Sequence, residues 1–283
     1  MTSYEQEHSG ECDSIVIKVG SGLVSREANG HGEPNKLDLN FLSDLTQSIG
    51  QIIEDTGKRV ILVSSGAVAA GKELIELAEN MDPIVRKQIY AAIGQPRLMA
   101  KYVDLFGSAK PSRIASQLLL TWANLADEKE RAKILRTLRS QPRDVVTIAN
   151  ENDPIADEEL KLGDNDQLAS RLAQLVHAKI LILLTDVEGV FDRNPNEEGA
   201  RLIREFSIDD LTDEFIASCG KGGNKTGTGG MASKLRAAKA AAEQDVPTVI
   251  ARGKHNGKNL LHLKDIVRGI PNIGTRITPR IVH

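Results

Sequence analysis

Cysteine is nearly missing from this sequence: Cys12 and Cys219 are the only two in 283 residues. They cannot build a multi-bridge scaffold, and free thiols in a reducing compartment are the expected state. Aromatic residues are scarce, at 3%, which leaves little material for a platform that stacks single-stranded bases. Neither sign of charge dominates: 36 Lys and Arg stand against 39 Asp and Glu, a net −3. That balance argues against a dedicated nucleic-acid binder. The longest apolar run, Ile180 to Leu184, is far short of the roughly 20 residues a bilayer demands. The histidines and cysteines show no His-x3-His or Cys-x2-Cys spacing, so no zinc site is expected. The polar, acidic start lacks the apolar segment of a signal peptide and the arginines of a transit peptide. A soluble, cytoplasmic protein with no membrane and no nucleic-acid partner is expected.

What is present is ordinary for a globular chain: 40% hydrophobic and 27% charged residues. Short β-branched and aliphatic runs at 15–19, 60–63, 145–149 and 180–184 predict strands buried on both faces. Further strands are expected at 114–120 and 247–251. Helical spacing predicts helices over 37–54, 84–106, 127–140, 163–177, 207–218 and 231–244, with a short Ala-rich helix after Gly66. Strands alternating with helices predict an α/β fold with a largely parallel sheet covered on both faces. In such sheets ligands gather beyond the C-terminal strand ends. The polar segments follow the predicted strands: Gly20-Ser21-Gly22, Ser64-Ser65-Gly66, Asn150 to Asp153, and Thr185-Asp186.

Several of these segments have two readings. Gly66 to Lys72 fits G-x4-G-K, but Glu73 stands where a P-loop needs Ser or Thr, so a helix start packed on the sheet is favoured. Gly227 to Ala232 satisfies G-x-G-x-x-A but follows a polar glycine-rich stretch rather than a strand. It reads better as a loop feeding a helix N-terminus suited to phosphate, with Lys234 in the first turn, or else as a surface linker. Lys18 is a lone cation in an apolar strand. It must meet an anion, reach the open end of the sheet, or snorkel from an edge. Asn150-Glu151-Asn152-Asp153 and Gly163-Asp164-Asn165-Asp166 are dense acid and amide clusters. They could orient lysines, bind an amino group or hold water-mediated Mg²⁺, or they could be turns and helix caps.

Taken in order, Lys18 to Ser21, Ser64 to Gly71, Ala92 to Gln95, Asn150 to Asp153, Lys161 to Asp166, Leu184 to Asp186 and Gly227 to Lys234 resemble the glutamate 5-kinases of the amino acid kinase family. Each piece is weak alone; the ordered set is specific and spans roughly residues 14–270. The resemblance implies a three-layer αβα sandwich around a central, largely parallel sheet. It implies a single kinase domain over 14–283 after a flexible tail at 1–13, with the N-terminal lobe on the substrate side and the C-terminal lobe on the nucleotide side. ATP would phosphorylate the γ-carboxylate of L-glutamate to L-glutamyl 5-phosphate, the first step of L-proline biosynthesis. Mg²⁺ would be carried mainly by the ATP phosphates, with no metal ligand assigned to the protein.

The resemblance makes Lys18 and Lys234 phosphate-handling lysines and Asp166, with Asp164, the aspartate that orients them. Ser65, Gly66, Asn150, Asp153 and Asn165 match substrate-binding positions. Lys18, Thr185, Asp186, Thr228, Gly229, Gly230, Met231, Ala232, Ser233 and Lys234 match ATP-binding ones. L-proline is implied as a feedback inhibitor competing near 150–153, and a homo-oligomer as the assembly. The sequence departs from the pattern in Ser64, where threonine is common, and in an extended loop at 26–36. Many members also carry a C-terminal PUA domain, for which the sequence to His283 leaves no room. The competing readings are N-acetylglutamate kinase, aspartokinase and a non-catalytic amino-acid sensor on the same fold.

Overall fold

The computed structural model describes residues 13–26, 36–156, 165–220, 230–255, 258–259 and 262–280. Eight strands form one sheet, most of them aliphatic runs: β1 (Ser14–Val19), β2 (Arg59–Ser64), β3 (Ile114–Leu120), β4 (Val145–Glu151), β5 (Ile180–Thr185), β6 (Glu205–Ser207), β7 (Thr248–Arg252) and β8 (Thr275–Thr278). Their order is β6-β8-β7-β5-β1-β2-β4-β3. Every neighbouring pair is parallel except β7 with β8. The chain winds outward from β1 through β2 to the edge strand β3, fills the gap between them with β4, then returns across β1 to lay down β5. β1 and β5 therefore flank the point where the winding reverses, the place where open α/β sheets open a crevice for ligands.

The helices are α1 (Ser21–Val24), α2 (Leu39–Thr56), α3 (Ala67–Lys72), α4 (Pro83–Ser108), α5 (Trp122–Ala126), α6 (Glu128–Ser140), α7 (Asn165–Leu175), α8 (Asp213–Ser218), α9 (Met231–Ala242) and α10 (Leu263–Val267). The two-residue period of a strand divides them between the faces. Ile15, Ile17 and Val19 pack with Leu45 of α2, Leu98 of α4 and Leu263 of α10. Val16, Ile61, Val63 and Leu183 pack with Leu172 of α7, Leu235 of α9 and Ile134 of α6. The result is three layers, as the resemblance implied. No helix among the described residues is long and apolar enough to cross a membrane.

Most sequence boundaries hold within two or three residues. The expected helix over 207–218 is corrected. Residues 205–207 form β6, 208–210 a single 3₁₀ turn, and only Asp213–Ser218 is helical. Ser207 and Asp210 favour the turn because short polar side chains compete for backbone N–H groups: Asp210 accepts from Ser207 N at 2.8 Å and Ser207 Oγ accepts from Asp209 N at 3.5 Å. The tail at 1–12 and the loop at 27–35 lie outside the described residues.

The Gly66 to Lys72 segment is a helix start, but its small residues serve a helix rather than the sheet. Gly66 has φ +121, a backbone that only glycine adopts without strain. A Cβ at Gly71 would lie 2.0 Å from Tyr90 O, and one at Gly94 would lie 1.8 Å from Ala67 O. The α3 and α4 backbones thus touch directly. Gly94→Ala must push them apart, so a loss of about 3 kcal/mol is expected, near the top of the overpacking range. Chemical denaturation of the purified variant reads it, and an unchanged midpoint would contradict the crossing.

Asp38 caps α2, accepting from Phe41 N at 3.0 Å, and pairs with Lys254 beyond β7 at 2.8 Å. Burial pushes its carboxyl up, but the Lys254 ammonium and the Phe41 N–H together outweigh it and hold the group below the usual range. A carboxylate depressed in the native state stabilises above its unfolded pKa and loses that as pH falls through the native value. Asp38→Asn keeps a cap but loses the charge. Its destabilisation should be largest at neutral pH and shrink below the ordinary carboxylate range; a pH-independent difference in denaturation midpoints would refute this.

Candidate functional site

Alternation in β1 decides which way Lys18 points. It shares a face with Val16, so it faces α7 and α9 rather than α2 and α4. Asp166 lies in the first turn of α7, Lys234 in the first turn of α9. Lys18 Nζ sits 2.6 Å from Asp166 Oδ1, and Lys234 Nζ 3.1 Å from Asp166 Oδ2. Asp166 is fully buried and both lysine side chains are nearly so, at 4% and 7% exposed. Lys18 is therefore not a snorkelling edge residue: β1 is central and its cation meets a buried anion. At the turn beyond β1, a Cβ on Gly20 would lie 3.4 Å from Lys18 Nζ. The ammonium thus lies against bare backbone.

Small residues hold α7 and α9 together. Ala237, Ala238 and Ala241 are buried, and Ser170 Oγ donates to Ala237 O at 2.7 Å. Close approach of the two helices brings Lys234 to Asp166.

Next to Asp166, Asn165 starts a chain of polar side chains across the strand ends. Asn165 Nδ2 donates to Ser65 Oγ at 3.0 Å and to Asn150 Oδ1 at 2.9 Å. Asn150 Nδ2 donates to Gln95 Oε1 at 2.9 Å. This chain leaves Asn165 Oδ1 and Gln95 Nε2 buried without a hydrogen-bond partner among the described residues. One is an acceptor, the other a donor. Buried polar atoms are normally satisfied, so the pair marks where a polar ligand would complete the network. Ser64 Oγ and Tyr102 Oη lie 2.6 Å apart, bracing the start of this turn from α4; burial raises the Tyr102 phenol pKa.

The remaining predicted residues divide. Gly66 caps α3 beside Ser65. Asp153 lies beyond β4, paired with Lys87 of α4 at 3.2 Å. Thr185 ends β5 and its hydroxyl donates to Asp186 Oδ1 at 3.0 Å. Its carbonyl accepts from Gly253 N at 2.7 Å. Gly230 is the N-cap of α9, and Met231, Ala232, Ser233 and Lys234 form its first turn. Asp164, Thr228 and Gly229 lie outside the described residues. Among those described, no three His, Cys, Asp or Glu side chains are grouped to hold a metal ion.

Sequence reasoning gave Gln95 and Lys87 no role. Gln95 carried a usable signal: it is a polar residue on the buried stripe of α4 with Ala91, Gly94 and Leu98. Lys87, 47% exposed, looks like any solvated lysine. Cys219 is free and half-buried, and burial raises its thiol pKa, so it is not an activated nucleophile.

The amino acid kinase family model matches residues 13–252. The chain belongs to the amino acid kinase family. Among curated relatives of this family member, a glutamate 5-kinase of Thermoanaerobacter sp. is 38% identical over 94% of this chain and 68% of its own length. One from Clostridium acetobutylicum is 35% identical over 97% of this chain and 98% of its own. One from Caldanaerobacter subterraneus is 39% identical over 85% of this chain, which spans 62% of that relative's length. The fold matches carbamate kinase from Giardia lamblia bound to AMP-PNP, with a TM-score of 0.65 at 20% identity over 95% of this chain and 99% of the other. The amino acid kinase fold expected from the sequence is the fold observed.

Removing the shared anion should be worse for the fold than removing either cation. Asp166→Ala leaves two buried ammonium groups facing each other, a change that costs about 3–5 kcal/mol for broken buried pairs. The variant's thermal midpoint should fall well below that of Lys18→Met, in which one pair survives. The reverse order would show that Asp166 is not the hub.

Proposed function

We propose that the protein transfers the γ-phosphoryl group of ATP to the γ-carboxylate of L-glutamate, giving L-glutamyl 5-phosphate and ADP, the entry reaction of proline biosynthesis. The observation that carries this reading is the pair of lysines fixed on one buried aspartate at the switch point, in a chain whose relatives are glutamate 5-kinases.

In this reaction one γ-carboxylate oxygen forms a bond to the γ-phosphorus while the bond from that phosphorus to the β,γ-bridging oxygen breaks. The nucleophile is already ionised at neutral pH, so no general base is required. The difficulty is that two anions must approach, and catalysis is positioning plus electrostatic stabilisation. Lys18, beside the bare Gly20 turn, would stabilise the oxygens of the transferring group. Lys234 would meet the charge gathering on the leaving phosphate, assisted by the dipole at the N-terminus of α9. Asp166 keeps both lysines aimed and prevents their mutual repulsion from splaying them. Mg²⁺, held by the nucleotide oxygens, would supply further charge neutralisation.

Ser65, Gly66, Asn150, Asn165 and Asp153 would receive glutamate, and Thr185 and Asp186 would line the nucleotide side with residues 230–234. A cytoplasmic location, a homo-oligomeric assembly and competition by L-proline near 150–153 belong to the same reading.

Hydroxylamine trapping of the acyl phosphate, with ADP release followed in parallel, tests it. Glutamate should give the hydroxamate while aspartate and N-acetylglutamate do not. A signal only with another acid would reassign the substrate, and binding without turnover would favour a sensor. Lys18→Met and Lys234→Met should each lower kcat by roughly 10²-fold or more, the scale for losing one preorganised electrostatic group. A near-normal kcat in either would remove the assigned role.

A further inference from the structure

Two elements meet twice at the outer end of the polar chain. The inner contact is neutral: Gln95 of α4 holds Asn150 at the end of β4. The outer contact is charged: Lys87 of α4 faces Asp153 at 3.2 Å. Lys87, Ala91, Gly94, Gln95 and Leu98 follow one another at helical spacing, so the face that reaches Asn150 also carries Lys87, about two turns earlier. The turn that displays Asp153 is built by backbone bonds. Asn152 N donates to Leu120 O at 2.8 Å, and Ala156 N to Asn152 O at 3.0 Å. Asp153 is only 16% exposed, while Lys87 is 47% exposed. An ion pair with one partner this open contributes little to stability, which leaves its placement unexplained by the fold.

The head of a free α-amino acid is itself an ion pair, an ammonium and a carboxylate on one carbon. Its nitrogen and oxygen lie about 3 Å apart, as close as a charge-assisted hydrogen bond, which matches the spacing of Lys87 and Asp153. Were Asp153 alone to take the substrate ammonium, Lys87 would stand beside it as a second cation, an unfavourable juxtaposition. Laid head to tail, the two pairs satisfy one another. We propose that Lys87 and Asp153 together read the zwitterionic head of the substrate, with Lys87 taking the α-carboxylate. This rests on the glutamate reading above and extends it: Lys87 is a specificity determinant. The unpartnered Asn165 Oδ1 and Gln95 Nε2 lie on the same polar chain, between Asp166 and this outer contact. The arrangement disfavours N-acylated amino acids, which carry no ammonium for Asp153.

The test pairs a variant with a matched substrate. L-Glutamate α-amide keeps the amino group and the γ-carboxylate but replaces the α-carboxylate by a neutral amide. In Lys87→Met, KM for glutamate should rise roughly tenfold to a hundredfold, the scale of one hydrogen bond to a charged group. The loss should fall on KM rather than kcat, as for uniform binding. KM for the α-amide should be the same in both proteins, and Lys87→Arg should restore part of the affinity for glutamate. An equal KM rise on both substrates would make Lys87 a brace for the turn. A lower KM would make it a competitor for Asp153. No change would make it a bystander, and each of these overturns the proposal. If the wild type fails to turn over glutamate, the kinase reading fails instead. Calorimetric titration of both proteins with glutamate and its α-amide then reads the same ratio without chemistry.

Discussion

Everything at this centre depends on one carboxylate. Asp166 holds an ammonium on each oxygen, one from a strand and one from a helix on the same side of the sheet. Without an anion between them, two lysines would not share a buried space. With it, both are fixed at the switch point, where the proposed phosphoryl transfer would draw on them. The layers follow from that requirement: β1 must be central, α7 must begin at the switch point, and α9 must lie tightly on α7. The alanines of α9 and the Ser170 bond to Ala237 are the packing side of the same constraint.

Much of this could be read from residues. Aliphatic runs ending in glycine and small polar residues located the strands and the edge where ligands gather. Lys18 was conspicuous because an isolated cation in a buried strand demands a partner, and the structure supplies Asp166. The direction in which Lys18 points could also have been inferred, since it shares the face of Val16. Nothing local links residues 18, 166 and 234, so the residue pattern by itself did not show the pairing; only the family resemblance implied it. Tertiary contacts alone bring them together.

Other features were illegible for identifiable reasons. The helix expected at 207–218 failed because Ser207 and Asp210 satisfy each other's backbone groups in a tight turn, which apolar spacing does not register. The strand at 275–278 escaped notice because it is four residues long and has a single aliphatic residue, Ile277, among two threonines and an arginine. Glycines 71 and 94 were visible only as members of motifs. Their use, to let two helix backbones touch, becomes evident once the helices are placed in space.

That crossing would set a length standard for the proposed glutamate site. Ser65 and Gly66 lead into one helix and Gln95 rides on the other. At the crossing the obstacle to any added atom is backbone, which cannot swing aside as a side chain can. The two helices therefore travel as one rigid body, and the distance from the Ser65 hydroxyl to the Gln95 amide is fixed like the jaws of a gauge. Under the proposed reading, a substrate one methylene shorter or longer than glutamate could not be accommodated by letting the jaws slide. It would have to fit by giving up a contact at one end.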